Sequence, residues 1–148
     1  MDAIRLLARY RESLPLLPGA VEAVERLAAE WPLGLASSSN REVIDAVLEA
    51  AGIAGCFRAT VSSEEVERGK PAPDVYLDAA RRLGARAERC VAVEDSTAGI
   101  GSAHAAGLGI VAIPNRAYPP VPDVLEQADV VLDSLADLDE EAVLQAAG

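Results

Sequence analysis

Apolar positions along this chain fall into two spacings that alternate from end to end. Val21, Val24, Leu27 and Ala28 recur every three or four residues and predict an amphipathic helix. Val43, Ile44, Val47 and Leu48 do the same, with Gly52 as the stop. Between them "LGLAS" (33–37) is a short continuous apolar run, the mark of a strand buried on both faces. The same alternation continues through strands at "FRATVS" (57–62), "CVAVE" (90–94), "GIVAIP" (109–114) and "DVVL" (129–132). Helices are predicted over "PAPDVYLDAARRLG", "TAGIGSAHAAG", "VPDVLEQA" and "DEEAVLQAA". Ile4, Leu6, Leu7 and Tyr10 predict a first helix ending before Pro15, and Ser39 with Glu42 has the form of a capping box. Apolar strands alternating with helices predict an α/β fold, a parallel sheet covered by helices on both faces.

The length of 148 residues suits one domain with a sizeable core, and 51% hydrophobic residues predict a globular chain. A net charge of -11 argues against nucleic-acid binding, which needs a basic face. It leaves room for a small phosphorylated ligand, which needs only local positive charge. Cys56 and Cys90 lack CxxC spacing and read as two reduced, buried thiols of a cytoplasmic protein. The first residues carry too many charges for a signal peptide, and no apolar run is long enough for a membrane helix.

Charge type is informative at one place. Lys and Arg together number 13, yet Lys70 is the only lysine. It precedes Pro71 in "GKPAPDVY", where a pre-proline residue favours an extended conformation. A lysine is a compact point charge on a flexible stem, suited to one phosphate or carboxylate oxygen. In open parallel sheets ligands bind beyond the carboxyl ends of the strands. Ser37-Ser38-Ser39-Asn40 follow one predicted strand, Glu94-Asp95-Ser96 end another, and Lys70 follows a third. Hydroxyls and free N–H groups at a helix start can hold phosphate oxygens, lysine neutralises charge, and paired carboxylates suit Mg²⁺. Singly, the Ser/Asn run also reads as a helix cap, Glu94-Asp95 as an acidic helix start, and Lys70 as chance in an arginine-rich chain.

"GLASSSN", "GKPAPDVY" and "VAVEDSTAGIGSAHAAG" together resemble motifs II, III and IV of the haloacid-dehalogenase-like (HAD) phosphohydrolase superfamily. The wording is most similar to the β-phosphoglucomutase-like and phosphoglycolate-phosphatase-like subgroup, and "LLPGAVEAVERLAAEWPLGLASSS" resembles its approach to motif II. The resemblance runs from about residue 14 to about residue 135. It implies a Rossmann-like core over residues 14–148 and a remnant of a helical cap or linker over residues 1–13. It also implies a Mg²⁺-dependent phosphatase or phosphomutase acting on a small phosphorylated metabolite. By this resemblance Ser37 is the motif II hydroxyl, the Ser38 N–H assists it and Asn40 faces substrate. Lys70 is the motif III lysine, touching both phosphate and the nucleophilic carboxylate, and Asp95 with Glu94 are magnesium ligands.

The chain departs from that pattern in one respect. Family members attack phosphate with the first aspartate of D-x-D-G-T, which becomes an aspartyl-phosphate while the second acts as acid and base. No such motif occurs here. Asp137-Leu138-Asp139 has the spacing but follows the last strand, and reads as a helix cap. The resemblance therefore implies that the first, central strand and most of the cap are missing, and that these residues alone are inactive. The two strands flanking the gap would close up, leave it open, or accept a strand from another copy, with self-association as one outcome. A non-catalytic phosphate-binding fragment is the alternative. A response-regulator-like receiver would also use carboxylates, a hydroxyl and a lysine, but in another order. A Rossmann nucleotide site at Gly99-x-Gly101 lacks the third glycine, which is His104, and His104 and Trp31 read as an exposed helix residue and a core plug.

Overall fold

The computed structural model describes the backbone of Ile4–Arg5 and all of residues 19–148. Its elements are β1 (Ile4–Arg5), α1 (Ala20–Ala28), β2 (Leu33–Ser37), α2 (Arg41–Ala51), β3 (Phe57–Ser62) and α3 (Asp74–Arg82). They continue with β4 (Val91–Glu94), α4 (Thr97–Ala106), β5 (Gly109–Ala112), α5 (Pro122–Leu125), β6 (Val130–Val131) and α6 (Glu140–Ala147). Every ladder among the described residues is parallel: β1, β4, β5 and β6 form one sheet in that order, and β2 pairs with β3. The α/β class and the order of elements from residue 20 onward agree with the sequence pattern.

Strand alternation sorts the core onto two faces. Leu33, Leu35, Val91, Val93 and Val111 pack with Val24, Leu27, Leu48 and Val143 from α1, α2 and α6. Ala36, Ala92, Ile110 and Ala112 face the other way, against Val75, Tyr76, Ile100 and Ala103 of α3 and α4. The period of two in a strand enforces this split. Small strand residues on the second face meet an α4 that is itself rich in glycine and alanine.

The N-terminal expectation needs correction. Ile4 and Arg5 are strand, not helix, with Ile4 paired to Val91 and Arg5 to Ala92. The rest of that predicted helix lies outside the described residues. β1 also lies against β2, so it separates β2 from β4. Over two residues the chain's own N-terminal segment thus stands between these two strands, hydrogen-bonded to β4. Two smaller differences concern a helix cap and a cysteine. Asn40, not Ser39, caps α2, accepting the Val43 N–H at 2.9 Å. Cys56 is half-buried rather than buried, while Cys90 is buried, its Sγ donating to the Arg86 carbonyl at 3.4 Å. Gly52 ends α2 at φ 73°, a left-handed conformation open to glycine.

Candidate active site

The polar residues beyond β2, β3 and β4 meet at the carboxyl edge of the sheet. The loop after β2 is braced from within and from outside. The Ser37 hydroxyl oxygen accepts the Ser39 N–H at 3.0 Å, a local turn that fixes the buried Ser37 side chain. Ser62 Oγ donates to the Ser39 carbonyl at 2.7 Å, and Ser63 Oγ to the Ser38 carbonyl at 3.0 Å. Ser62 also opens a capping box with Glu65 in the turn after β3.

Arg41 ties the two turns together. Its guanidinium donates to Thr60 Oγ1 at 2.7 Å, to the Thr60 carbonyl at 2.8 Å and to Glu65 at 3.0 Å. Burial opposes the Arg41 charge, but hydrogen bonds and attraction from Asp45 and Glu65 outweigh it and raise its pKa. Burial likewise pushes the Glu65 carboxyl up, but the Ser62 N–H, Arg41 and Arg82 together bring it below the usual carboxylate range.

Lys70 lies at the centre. Its side chain is only 2% exposed, and that of Glu94 is fully buried. The ammonium donates to Glu94 Oε2 at 2.7 Å and to the Ala36 carbonyl, at the end of β2, at 3.2 Å. Tyr76 Oη donates to the same Glu94 oxygen, and the Tyr76 ring lies 5.2 Å below the ammonium. The loop that carries Lys70 is held from α4, where the buried Ser102 Oγ donates to the Ala72 carbonyl at 2.7 Å. The Lys70–Pro71 peptide is cis.

α4 also shapes the floor. A Cβ built on Gly99 would lie 1.9 Å from Glu94 Oε1, so only glycine leaves room for this carboxylate. Ser96 caps α4 by accepting the Gly99 N–H at 3.1 Å. Asp95, buried one residue beyond β4, accepts from Asn115 Nδ2 at 3.3 Å, and its carbonyl accepts the Asn115 N–H at 3.0 Å. Beyond β5 and β6 a cleft of about 520 Å³ is lined by Asn115, Arg116, Asp133 and Ser134.

The structure therefore gathers Ser37, Lys70, Glu94 and Asp95 on one edge. Ser38 and Asn40 sit on the exposed rim of the same loop, with the Asn40 oxygen used as a helix cap. The sequence reading missed Tyr76, Gly99, Ser62, Arg41 and Asn115. Tyr76 stood within the quoted "GKPAPDVY", and a tyrosine on an otherwise apolar helix face was the available signal that it needs a polar partner. Asp139 caps α6 through the Ala142 N–H at 2.9 Å, as the sequence indicated. His104 is exposed and Trp31 packs against the core. Among the described residues no helix is long and apolar enough to cross a membrane.

Comparison with known proteins points the same way. A profile described as haloacid dehalogenase-like hydrolase matches residues 2–107. Hexitol phosphatase B of Escherichia coli K12 is 37% identical over 135 residues, covering 90% of this chain and 60% of that protein. The bifunctional riboflavin kinase/FMN phosphatase of Arabidopsis thaliana is 35% identical over 135 residues, covering 90% of this chain and 35% of that protein. A HAD family hydrolase from Deinococcus radiodurans R1, solved with bound phosphate and sodium, superposes with a TM-score of 0.76 at 31% identity. That match covers 89% of this chain and 61% of the other. β-Phosphoglucomutase from Clostridium difficile gives a TM-score of 0.74 at 26% identity, covering 89% of this chain and 56% of the other. The chain spans between 35% and 60% of the length of these two curated relatives. Strand order, the polar edge and these likenesses converge: the chain belongs to the haloacid dehalogenase-like hydrolase family.

Proposed function

We propose that these residues form the phosphate- and cation-holding part of a Mg²⁺-dependent phosphatase or phosphomutase site for a small phosphorylated metabolite. The observation that carries this reading is the buried Lys70–Glu94 pair, held at 2.7 Å between the Ser37 loop and Asp95. A lysine side chain only 2% exposed is costly to bury, and a pair so placed is a functional-site candidate. Ser37 Oγ donates to a phosphoryl oxygen, assisted by the Ser38 N–H, with Asn40 facing the substrate from the rim. Lys70 brings positive charge to the same group and is itself aimed by Glu94 and the Ala36 carbonyl.

Enzymes of this family generally use Mg²⁺, which takes one or two carboxylates and completes its shell with phosphate and water. Two adjacent buried carboxylates fit that demand, although no group of three or more His, Cys, Asp or Glu gathers among the described residues. Asp95, with Glu94, would hold the ion. Bound there, it would neutralise charge on the phosphoryl oxygens.

The nucleophile is not among these residues. β1 stands in the slot from which the family's attacking aspartate projects, but it is followed in sequence by Leu6, Leu7, Ala8 and Arg9. The 148 residues by themselves therefore bind without turning over, which favours the non-catalytic alternative for this chain as given. An aryl phosphate incubated with the chain and Mg²⁺ tests this. The expected result is release no faster than the blank. Turnover that Lys70→Ala abolishes would contradict it.

A further inference from the structure

We infer that Asn115 is a positioning residue that aims the Asp95 carboxylate at the cation. This rests on the metal role proposed for Asp95. Both ends of the Asn115 amide are engaged. Its Oδ1 accepts the Ala117 and Tyr118 N–H groups, each at 2.9 Å. An amide oxygen held by two N–H donors cannot trade places with its nitrogen without facing donor to donor, so the orientation is determined. Nδ2 is thereby turned to Asp95 Oδ2, at 3.3 Å.

The backbone fixes the same geometry a second time. The Asn115 N–H donates to the Asp95 carbonyl at 3.0 Å, extending the β4–β5 ladder one step past the strands. Asn115 thus grips Asp95 by main chain and side chain together. With Oδ2 held by an amide, the carboxylate cannot rotate freely, and Oδ1 is the oxygen that Asn115 leaves for another partner. The loop beyond is closed at its far end, where Thr97 Oγ1 accepts the Val121 N–H at 3.0 Å. Outer partners of metal ligands act in this way, by fixing the direction of the ligand's lone pairs.

Binding of Mn²⁺, a paramagnetic stand-in for Mg²⁺, is the test, read by the loss of the free-ion electron paramagnetic resonance signal. The full chain is compared with D95N, N115A, N115S and T97V. N115S keeps a side-chain acceptor for the loop N–H groups but cannot reach Asp95, and T97V loosens the same loop without touching either residue. The expected result is binding by the wild type and T97V within twofold of each other. N115A and N115S should be weaker by about tenfold, and D95N weaker still. N115A and N115S matching the wild type while D95N fails overturns the positioning role alone, as does T97V falling as far as they do. A wild type that binds no Mn²⁺, or a D95N that binds it undiminished, overturns the metal role of Asp95 and this inference with it.

Discussion

Replacing Tyr76 with phenylalanine removes one oxygen from the most heavily committed carboxylate of the site. Tyr76 is 2% exposed and Glu94 1%, so the lost donor cannot be replaced by bulk water. The ring stays packed among Val75, Ala79 and Ile100, so almost no apolar contact changes. What goes is a hydrogen bond to a charged partner, a contribution of about 1.5–3 kcal/mol. Unfolding entropy of about 2.1 cal/mol/K per residue amounts to ~0.3 kcal/mol/K for a chain of this size. The melting temperature of Y76F should therefore fall by roughly 5–10 °C, measured by circular dichroism at neutral pH. Y118F is the control, because Tyr118 is 77% exposed and should melt as the wild type does. A Y76F variant melting within about 1 °C of the wild type would refute the reasoning, since it would mean that the hydroxyl contributes nothing to holding Glu94.

The other predictions concern the same edge. K70M leaves Glu94 charged and buried and should cost about 3–5 kcal/mol in denaturant unfolding, more than Y76F, with K70M/E94Q recovering part of the loss. G99A forces a Cβ into Glu94 and should cost about 1–3 kcal/mol by the same assay. G101A, whose Cβ would meet only Pro71 Cβ at 3.4 Å, should lose far less. The Glu65 carboxyl is lowered on folding, so it stabilises above its unfolded pKa, and that contribution is lost as pH falls through the folded value. The stability gap between wild type and E65Q, present at neutral pH, should therefore close as pH drops below the ordinary carboxylate range. Self-association of the chain would appear in sedimentation velocity as a weight-average mass rising with concentration, and a constant monomer mass would exclude it.

The parts of this molecule that were legible in the sequence are those set by local pattern. Continuous apolar runs located β2 to the residue and gave β4 and β5 within one or two, because strands buried on both faces cannot hide their composition, and the mixed run of β3 was also placed to the residue. Helix ends were readable where a glycine had to adopt a left-handed conformation, as at Gly52. Ser37, Lys70 and Glu94-Asp95 could be grouped because strand ends in a parallel sheet share one edge. Tyr76 and Glu94 are 18 residues apart, and nothing local in either segment records that they touch. Asn115 and Asp95 are separated by 20 residues and meet only because β4 and β5 are neighbours in register. Gly99 looked like a fragment of a nucleotide-binding fingerprint, and its reason emerged only when the Glu94 carboxylate was found lying over it. The first segment misled because Ile4, Leu6, Leu7 and Tyr10 have helical spacing, while the ladder offered by Val91 and Ala92 draws Ile4 and Arg5 into a strand. Tertiary pairing overrides periodicity most easily in so short a stretch.

The central claim is that Ser37, Lys70 and Asp95 hold a phosphoryl group and its cation on one edge of the sheet. The most direct measurement is a titration of the isotope-labelled chain with inorganic phosphate and Mg²⁺, following the backbone amide resonances. The account predicts saturable shifts confined to residues 37–40, 70 and 94–97, lost in both S37A and K70A. Unchanged resonances at those residues, or shifts that persist undiminished in K70A, would contradict it.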